Sequence, residues 1–408
     1  MTDVISKVLI ILSLHVVSGQ VIEEISGRNS EDYRTNLFRA YPDHSLEGSV
    51  LAAAQASSPI DCAALCTSRG PECKSYNYAH AHRLCEINSG NKTENAEMFV
   101  IKKGFTHYEE EPVKSPAEYI ANFTTLGAGG RTGPTSFGDH YKGQSHADHV
   151  TLVSGIQHWT VPHSGAYRIE AVGASGGYDT TDNAKAYRGR GAKMAGTFTL
   201  NKGDIIKILV GQEGGINSVA KSTGGGGGSF VVKGDTPLLV AGGGGGTESP
   251  LSRHAPCDAS KTTSGNSGYG GLAWPGGTGG NGATTADSDN SGGGGGGYLT
   301  GGRSSTVFGG EYGTGGEGGK AFVNGGVGGR SYTNSIVGGF GGGGGAYGNG
   351  GGAAGGGGYS GGASGDNNYD SCGGGGGSYN AGSDKQEECC YNEAGHGHVS
   401  VYLISIFG

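Results

Sequence analysis

Apolar and polar residues alternate with a period of two in short blocks through the middle of the chain. The blocks are His149-Val150-Thr151-Leu152-Val153, Gln157-His158-Trp159-Thr160-Val161, Tyr167-Arg168-Ile169-Glu170-Ala171-Val172, Gly196-Thr197-Phe198-Thr199-Leu200, Ile205-Ile206-Lys207-Ile208-Leu209-Val210, Ser229-Phe230-Val231-Val232 and Leu238-Leu239-Val240. Such alternation marks half-buried strands. Turn signals, Pro162-His163-Ser164-Gly165 and Asn201-Lys202-Gly203-Asp204 among them, separate the blocks. One more strand, His398-Val399-Ser400-Val401-Tyr402-Leu403, closes the chain. Seven or eight short strands without a helical period predict an all-β sandwich. About 150 glycine-rich residues precede the last strand. If that strand returns to the same sheet, the glycine-rich segment is an insertion anchored at both ends.

The pattern differs before residue 110. A short polar stretch ending in Lys7 precedes the apolar run Val8 to Val17 and the small residues Ser18 and Gly19. This predicts a secretory signal peptide over 1–19, cleaved near Gly19, because ten apolar residues are too few to span a bilayer. A first domain is expected over 31–108. Ser58-Pro59-Ile60-Asp61-Cys62-Ala63-Ala64-Leu65-Cys66 carries helix-start residues and sets two cysteines four apart on one helical face. Lys74-Ser75-Tyr76-Asn77-Tyr78 and Leu84-Cys85-Glu86-Ile87 read as strands. Residues 109–118, charged and carrying two prolines, read as a linker, which leaves 119–408 as the second domain.

Within the second domain, six runs of four or more glycines stand at 224–228, 242–246, 292–297, 341–345, 355–358 and 373–377. Five of them are followed within two residues by an aromatic: Phe230, Tyr298, Tyr347, Tyr359 and Tyr379. Fixing glycine costs more backbone entropy than fixing any other residue, so disorder is the bland expectation. The recurrent aromatics, the anchoring strands and the cysteines argue for order. Extended glycine chains form three-fold, polyproline-like helices that pack side by side, since no Cβ blocks hydrogen bonds between backbones. Those bonds offset the entropy. The 90 glycines with only 11 prolines, and no strict third-residue repeat, exclude collagen.

A formal charge of −8 argues against nucleic acid as a partner. The eight cysteines suit an oxidising, extracellular compartment, and Asn91-Lys92-Thr93 and Asn122-Phe123-Thr124 are glycosylation acceptors if exposed. Cys62, Cys66, Cys73 and Cys85 allow three pairings. Among Cys257, Cys372, Cys389 and Cys390, a bridge between the adjacent pair is disfavoured, which leaves two connectivities. Both would staple the glycine insertion to the approach of the last strand.

The first domain resembles the PAN/apple family, on Cys62/Cys66, Cys73-Lys74-Ser75-Tyr76 and Cys85-Glu86-Ile87. The resemblance implies pairing Cys62 with Cys85 and Cys66 with Cys73, and a module that binds proteins or glycans. The second domain resembles the extracellular glycine-rich domain of the anaplastic lymphoma kinase and leukocyte tyrosine kinase receptors. The matching motifs are Asn122-Phe123-Thr124-Thr125-Leu126-Gly127-Ala128, Gly133-Pro134-Thr135, Gly155-Ile156-Gln157-His158-Trp159-Thr160-Val161-Pro162, Gly173-Ala174-Ser175-Gly176-Gly177, Ile208-Leu209-Val210-Gly211-Gln212-Glu213-Gly214, Leu238-Leu239-Val240-Ala241 and Gly395-His396-Gly397-His398-Val399. It implies a tumour-necrosis-factor-like β-sandwich carrying packed polyglycine helices, cytokine binding and ligand-driven dimerisation. Leu126 stands where the receptors carry a cysteine.

The expected fold is therefore mainly β: a small α+β module, then a sandwich with a polyglycine-helix insertion. No phosphate-binding loop, no nucleophile elbow set before a helix and no paired carboxylates on a plausible cleft is present, so no enzyme, cofactor or metal is expected. His80 and His82, the cluster of His140, His146 and His149, and the pair His396 and His398 lack the spacing of a zinc site. In the region where the related receptors present acids to basic cytokines, this chain carries an acidic loop with Asp384, Glu387, Glu388 and Glu393. These are the candidate ligand-binding residues. The expected function is a secreted recognition protein for an extracellular protein or glycan, with no membrane span after signal cleavage. A glycine-rich matrix or mucus component and a truncated receptor ectodomain are the alternatives.

Overall fold

The computed structural model describes residues 11–17, 20–26, 35–92, 94–110, 119–181, 184–286, 289–392 and 395–407. Two compact units divide the chain at Ala117 and Glu118. Of the segments expected to be a leader and a linker, residues 1–10, 18–19 and 111–118 lie outside the described residues.

Unit one holds strands β1 (Ile11–Val17), β2 (Gln20–Ser26), β3 (Thr35–Leu46) and β4 (Val50–Gln55), helix α1 (Pro59–Ser68), then β5 (Ser75–Ala79), β6 (Leu84–Asn88) and β7 (Phe99–Glu110). The strands form one sheet in the order β1-β2-β3-β7-β5-β6-β4. Strand β7 runs through Glu109 and Glu110, two residues into the segment read as linker. Helix α1 starts where Ser58 accepts a hydrogen bond from the Asp61 amide at 3.2 Å, with Pro59 supplying a fixed φ at the first turn. Its buried face carries Cys62 and Cys66, which bridge to Cys85 on β6 and to Cys73. Beneath it Tyr76 stacks on Tyr108 at 4.8 Å and meets the edge of Phe38 at 5.1 Å.

Unit two holds β8 (Ile120–Phe123), β9 (Val150–Val153), β10 (Ile156–Thr160), β11 (Gly165–Val172), β12 (Gly191–Leu200), β13 (Ile205–Leu209), β14 (Ser229–Lys233), β15 (Thr236–Ala241), β16 (Thr247–Glu248), β17 (Ser371–Cys372), β18 (Tyr379–Asn380), β19 (Ser383–Asn392) and β20 (His398–Ile406). A six-stranded sheet, β18-β15-β14-β13-β10-β9, faces a five-stranded one, β19-β12-β11-β20-β8. Alternate residues of both meet in the core: Trp159, Ile206, Ile208, Val231 and Leu239 from the first, Phe123, Tyr167, Ile169, Met194 and Val401 from the second. The last strand does not return to the sheet that the glycine insertion leaves. The insertion departs from β15 of the six-stranded sheet, and the two-residue β18 comes back beside β15. Strand β20 joins the opposite sheet between β11 and β8, so the insertion is anchored at both ends but across the two sheets.

The glycine runs show a period of three in their hydrogen bonds. Gly224 and Gly227 donate to Gly215 and Gln212 of one neighbour, Gly225 and Gly228 to Gly344 and Gly341 of another, and Gly226 to Gly244 of a third. In the same way Gly243 and Gly246 donate to Gly357 and Ala354, while Gly244 donates to Ala174. A chain with three residues per turn aims every third amide at the same partner, which is the geometry of a polyproline-like helix. Each run is thereby bonded to several antiparallel neighbours in a packed slab. No room is left for Cβ atoms: one added at Gly228 would sit 2.9 Å from the Gly358 α-carbon.

The slab closes on the sandwich through the aromatics. Residues that alternate with the core face of the six-stranded sheet, Leu209, Phe230, Val232 and Val240, form a second cluster with Tyr298, Phe322 and Phe340. Rings run in a file from Phe230 to Phe322 (5.0 Å), Tyr298 (5.3 Å), Tyr359 (6.4 Å) and Tyr379 (4.7 Å). Four of the five aromatics that come after glycine runs therefore gather on one sheet face. Tyr347 packs elsewhere, against Tyr332 at 5.1 Å.

Candidate recognition surface

The residues expected to form an acidic loop form a strand. Ser383–Asn392 is β19, the end strand of the five-stranded sheet, paired antiparallel with β12 in the register Lys193↔Glu388, Met194↔Glu387 and Ala195↔Gln386. The sequence Ser-Asp-Lys-Gln-Glu-Glu-Cys-Cys-Tyr-Asn lacks apolar alternation because an edge strand here is wet, so periodicity had nothing to register. Asp384, Glu387 and Glu388 lie on this strand and all are exposed, Glu388 on the face of Lys193 and Glu387 on the opposite one. Glu393 lies outside the described residues. Among the described residues no cation pairs with those three acids.

Neighbouring side chains hold β19 in place. Arg168, which points away from the core on β11, reaches across β12 to donate to the Asp384 carbonyl oxygen at 2.6 Å and to Gln386 Oε1 at 2.8 Å. Beside it Glu170 faces His398 Nε2 at 3.8 Å and Lys193 Nζ at 3.2 Å. The imidazole first, and then the ammonium, hold the Glu170 carboxyl below its ordinary range. The interior of this face is thus compensated while its rim is not. Arg168, Glu170, Lys193 and His398 are visible in the sequence only as members of strand patterns; their convergence depends on which strands are neighbours.

The cysteines of unit two pair differently from expectation. Cys257 bridges Cys372, with α-carbons 5.7 Å apart, so the bond ties two slab segments to each other and does not reach β19. Cys389 and Cys390 bridge one another, the pairing expected to be disfavoured. The peptide between them is cis, which brings their α-carbons to 3.0 Å instead of the roughly 3.8 Å of a trans peptide, so the two sulfurs can meet. This bridge lies immediately after Glu388, with Cys389 Sγ 3.0 Å from the Ala259 carbonyl oxygen.

Of the two glycosylation acceptors, Asn122 is exposed on β8 and its Oδ1 accepts from Ser400 Oγ at 2.8 Å. Asn91 is half-buried in a turn, its Oδ1 accepting from the Glu94 amide at 2.8 Å. Among the described residues no group of three His, Cys, Asp or Glu is placed to hold a metal ion, and no helix is long and apolar enough to cross a membrane.

Comparison with known proteins matches residues 37–111 to the PAN domain family. A stretch of 97 residues, 22% of this chain, is 38% identical to the leukocyte tyrosine kinase receptor of Mus musculus. That alignment spans 11% of the receptor. A PAN domain and a segment related to this receptor are therefore both parts of the chain, and neither match indicates a catalytic family.

Proposed function

We propose that this protein is an extracellular recognition molecule whose glycine-rich domain presents the acidic edge formed by Asp384, Glu387 and Glu388 to a basic, cytokine-like protein ligand. The observation that carries this reading is three exposed acids, none in an ion pair among the described residues, on an end strand that Arg168 fixes to the five-stranded sheet. A rigid acidic edge raises the encounter rate with a basic partner and loses little conformational freedom on binding. The PAN domain adds a second contact and hence avidity, and ligand-driven dimerisation rests on the resemblance to the receptors. Secretion and glycosylation at Asn91 and Asn122 belong to the same reading.

Hydrogen bonding within the slab argues against a matrix role, because the glycine amides that would join separate chains are already paired inside this one. The test is capture of basic secreted proteins by the full-length chain, compared with a variant carrying Asp384→Lys, Glu387→Lys and Glu388→Lys. A saturable, salt-sensitive partner lost in the variant supports the proposal. Unchanged capture by the variant, or concentration-dependent self-assembly with no saturable partner, refutes it.

A further inference from the structure

Unit one carries a ring cluster that the recognition surface above does not use. Tyr41 on β3, whose register partner is His107, and Phe99 on β7, whose register partner is Leu46, meet edge to face at 5.4 Å. His44 lies flat on Phe99 at 4.9 Å, and His107 sits against Phe99 at 5.3 Å and Tyr41 at 6.0 Å. Tyr41, His44 and Phe99 are each only partly buried, so the cluster opens to solvent, whereas His107 is fully buried. Over its mouth stands an ammonium: Lys92 Nζ is 4.5 Å from the Tyr41 ring centre and 5.0 Å from that of Phe99. Ring faces carry negative potential, and two rings at about a right angle around one cation are the arrangement by which aromatic cages hold ammonium groups.

The floor of the cluster suits a cation. Asn77 is fixed by donating Nδ2 to the Leu46 carbonyl oxygen at 2.9 Å, so its Oδ1 is an acceptor and His107 Nδ1 must donate to it at 2.8 Å. The other nitrogen, Nε2, then bears a lone pair; it is buried and has no hydrogen-bond partner. Burial, with His44 and Lys92 nearby, lowers His107 to about 4, so the ring is neutral at physiological pH and does not repel a positive guest. The charged and titratable groups that bear on it are His44, Lys92 and, through Asn77, Glu86, whose Oε2 accepts from Asn77 Nδ2 at 3.0 Å. Among the described residues no acid pairs with Lys92, and its side chain is exposed, so only the rings hold its ammonium in place.

We infer that the Tyr41 and Phe99 rings, with His44 stacked on Phe99, form a binding site for an organic ammonium, such as a lysine side chain of a partner protein, and that Lys92 is its built-in, displaceable occupant. Lys92 is also the central residue of the Asn91-Lys92-Thr93 acceptor, so a glycan on Asn91 would stand at the entrance.

The test uses the full-length protein labelled with 3-fluorotyrosine, with the Tyr41 ¹⁹F line assigned by Tyr41→Phe, and tetramethylammonium chloride as the probe. Sodium chloride and tert-butanol serve as ionic-strength and neutral-shape controls. The expected result is a saturable shift of the Tyr41 line in Lys92→Ala, about two- to five-fold weaker in the unsubstituted protein, where an exposed cation–π contact competes. Phe99→Leu, which keeps an apolar side chain without the ring face, should abolish it in the Lys92→Ala background. A Tyr41 line that moves no more with tetramethylammonium than with the two controls overturns the inference, as does undiminished binding in Phe99→Leu. Equal affinity with and without Lys92 removes its role as occupant.

Discussion

Replacing Gly226 by alanine puts one methyl group into the middle of the slab. A Cβ at that position would press closest on the Ser175 carbonyl oxygen and lie 2.6 Å from its carbonyl carbon and 2.7 Å from the Ala174 carbonyl oxygen, where ordinary contact starts near 3.4 Å. Run 224–228 and segment 173–177 must then separate by at least roughly 0.7 Å, since neither side offers a flexible side chain that could yield. Two bonds join these segments, Ala174 N–H to the Gly227 carbonyl at 2.9 Å and Gly177 N–H to the Gly224 carbonyl at 2.8 Å. That separation stretches both to about 3.5 Å, where a hydrogen bond is largely spent. Their donors and acceptors are buried and have no water to turn to, so the loss is about 1–2 kcal/mol per bond. The stiffer unfolded chain of the alanine variant returns about 0.5–1 kcal/mol, leaving a net destabilisation of about 2–3 kcal/mol. Gly234 is the control: it has φ +59° in the turn between β14 and β15 and no heavy atom within 4 Å of where a Cβ would stand, so alanine there meets only the left-handed backbone penalty of about 1 kcal/mol. Urea unfolding monitored by the fluorescence of Trp159, buried in the sandwich, compares the two. If Gly226→Ala costs no more than Gly234→Ala, the close-packed slab is not what holds this domain together.

Hydrogen exchange should be slow in peptides spanning 224–380 of the unsubstituted protein; complete exchange at the earliest time point would mean that the period-three bonds do not persist in solution. Burial, with Asp366 nearby, pushes Glu248 up to about 8, and its Oε2 has no hydrogen-bond partner. The native state then keeps a proton that the unfolded chain releases, so stability falls as pH rises from about 4.5 to about 8. Glu248→Gln should remove that slope and stabilise the domain at pH 7 by up to about 3 kcal/mol, with little effect at pH 4, as read by urea unfolding at both pH values. The Cys257–Cys372 bridge spans a sequence separation of 115, so Cys257→Ser with Cys372→Ser should cost up to about 4–5 kcal/mol of chain entropy, seen as a large fall in the urea midpoint. On the proposed extracellular reading, Asn122→Gln should lower the intact mass of the protein expressed through a secretory host by one glycan; an unchanged mass would show that the β8 acceptor is not used.

Features that rest on local chemistry were legible in the sequence. Period-two alternation located β9 to β15 and β20, and helix α1 was marked by Ser58-Pro59 and the four-residue cysteine spacing. Features decided by a remote contact were not. Strand β19 has no alternation of its own; it is a strand because β12 offers an open edge and Arg168 grips its backbone. The Cys257 partner could not be read from spacing, because residue 372 is brought near by the pairing Thr247↔Cys372 between β16 and β17.

The glycine runs are the intermediate case, and they show how such a composition supports the proposed acidic edge at all. Each run lacks side chains, so no pattern within it can specify its neighbours. The specification comes from the aromatics at the ends of the runs: Phe230, Tyr298, Tyr359 and Tyr379 converge on one face of the six-stranded sheet, and that convergence fixes where four runs end. Once the ends are fixed, a three-fold chain can satisfy its amides only by pairing with the runs beside it, and the bonds Gly224 to Gly215 and Gly227 to Gln212 are the same choice made one turn apart. The six-stranded sheet is then buried on both faces, by the sandwich core and by the aromatics. The outer face of the five-stranded sheet instead remains open along Arg168, Glu170 and Lys193, and it is that sheet which ends in Asp384, Glu387 and Glu388.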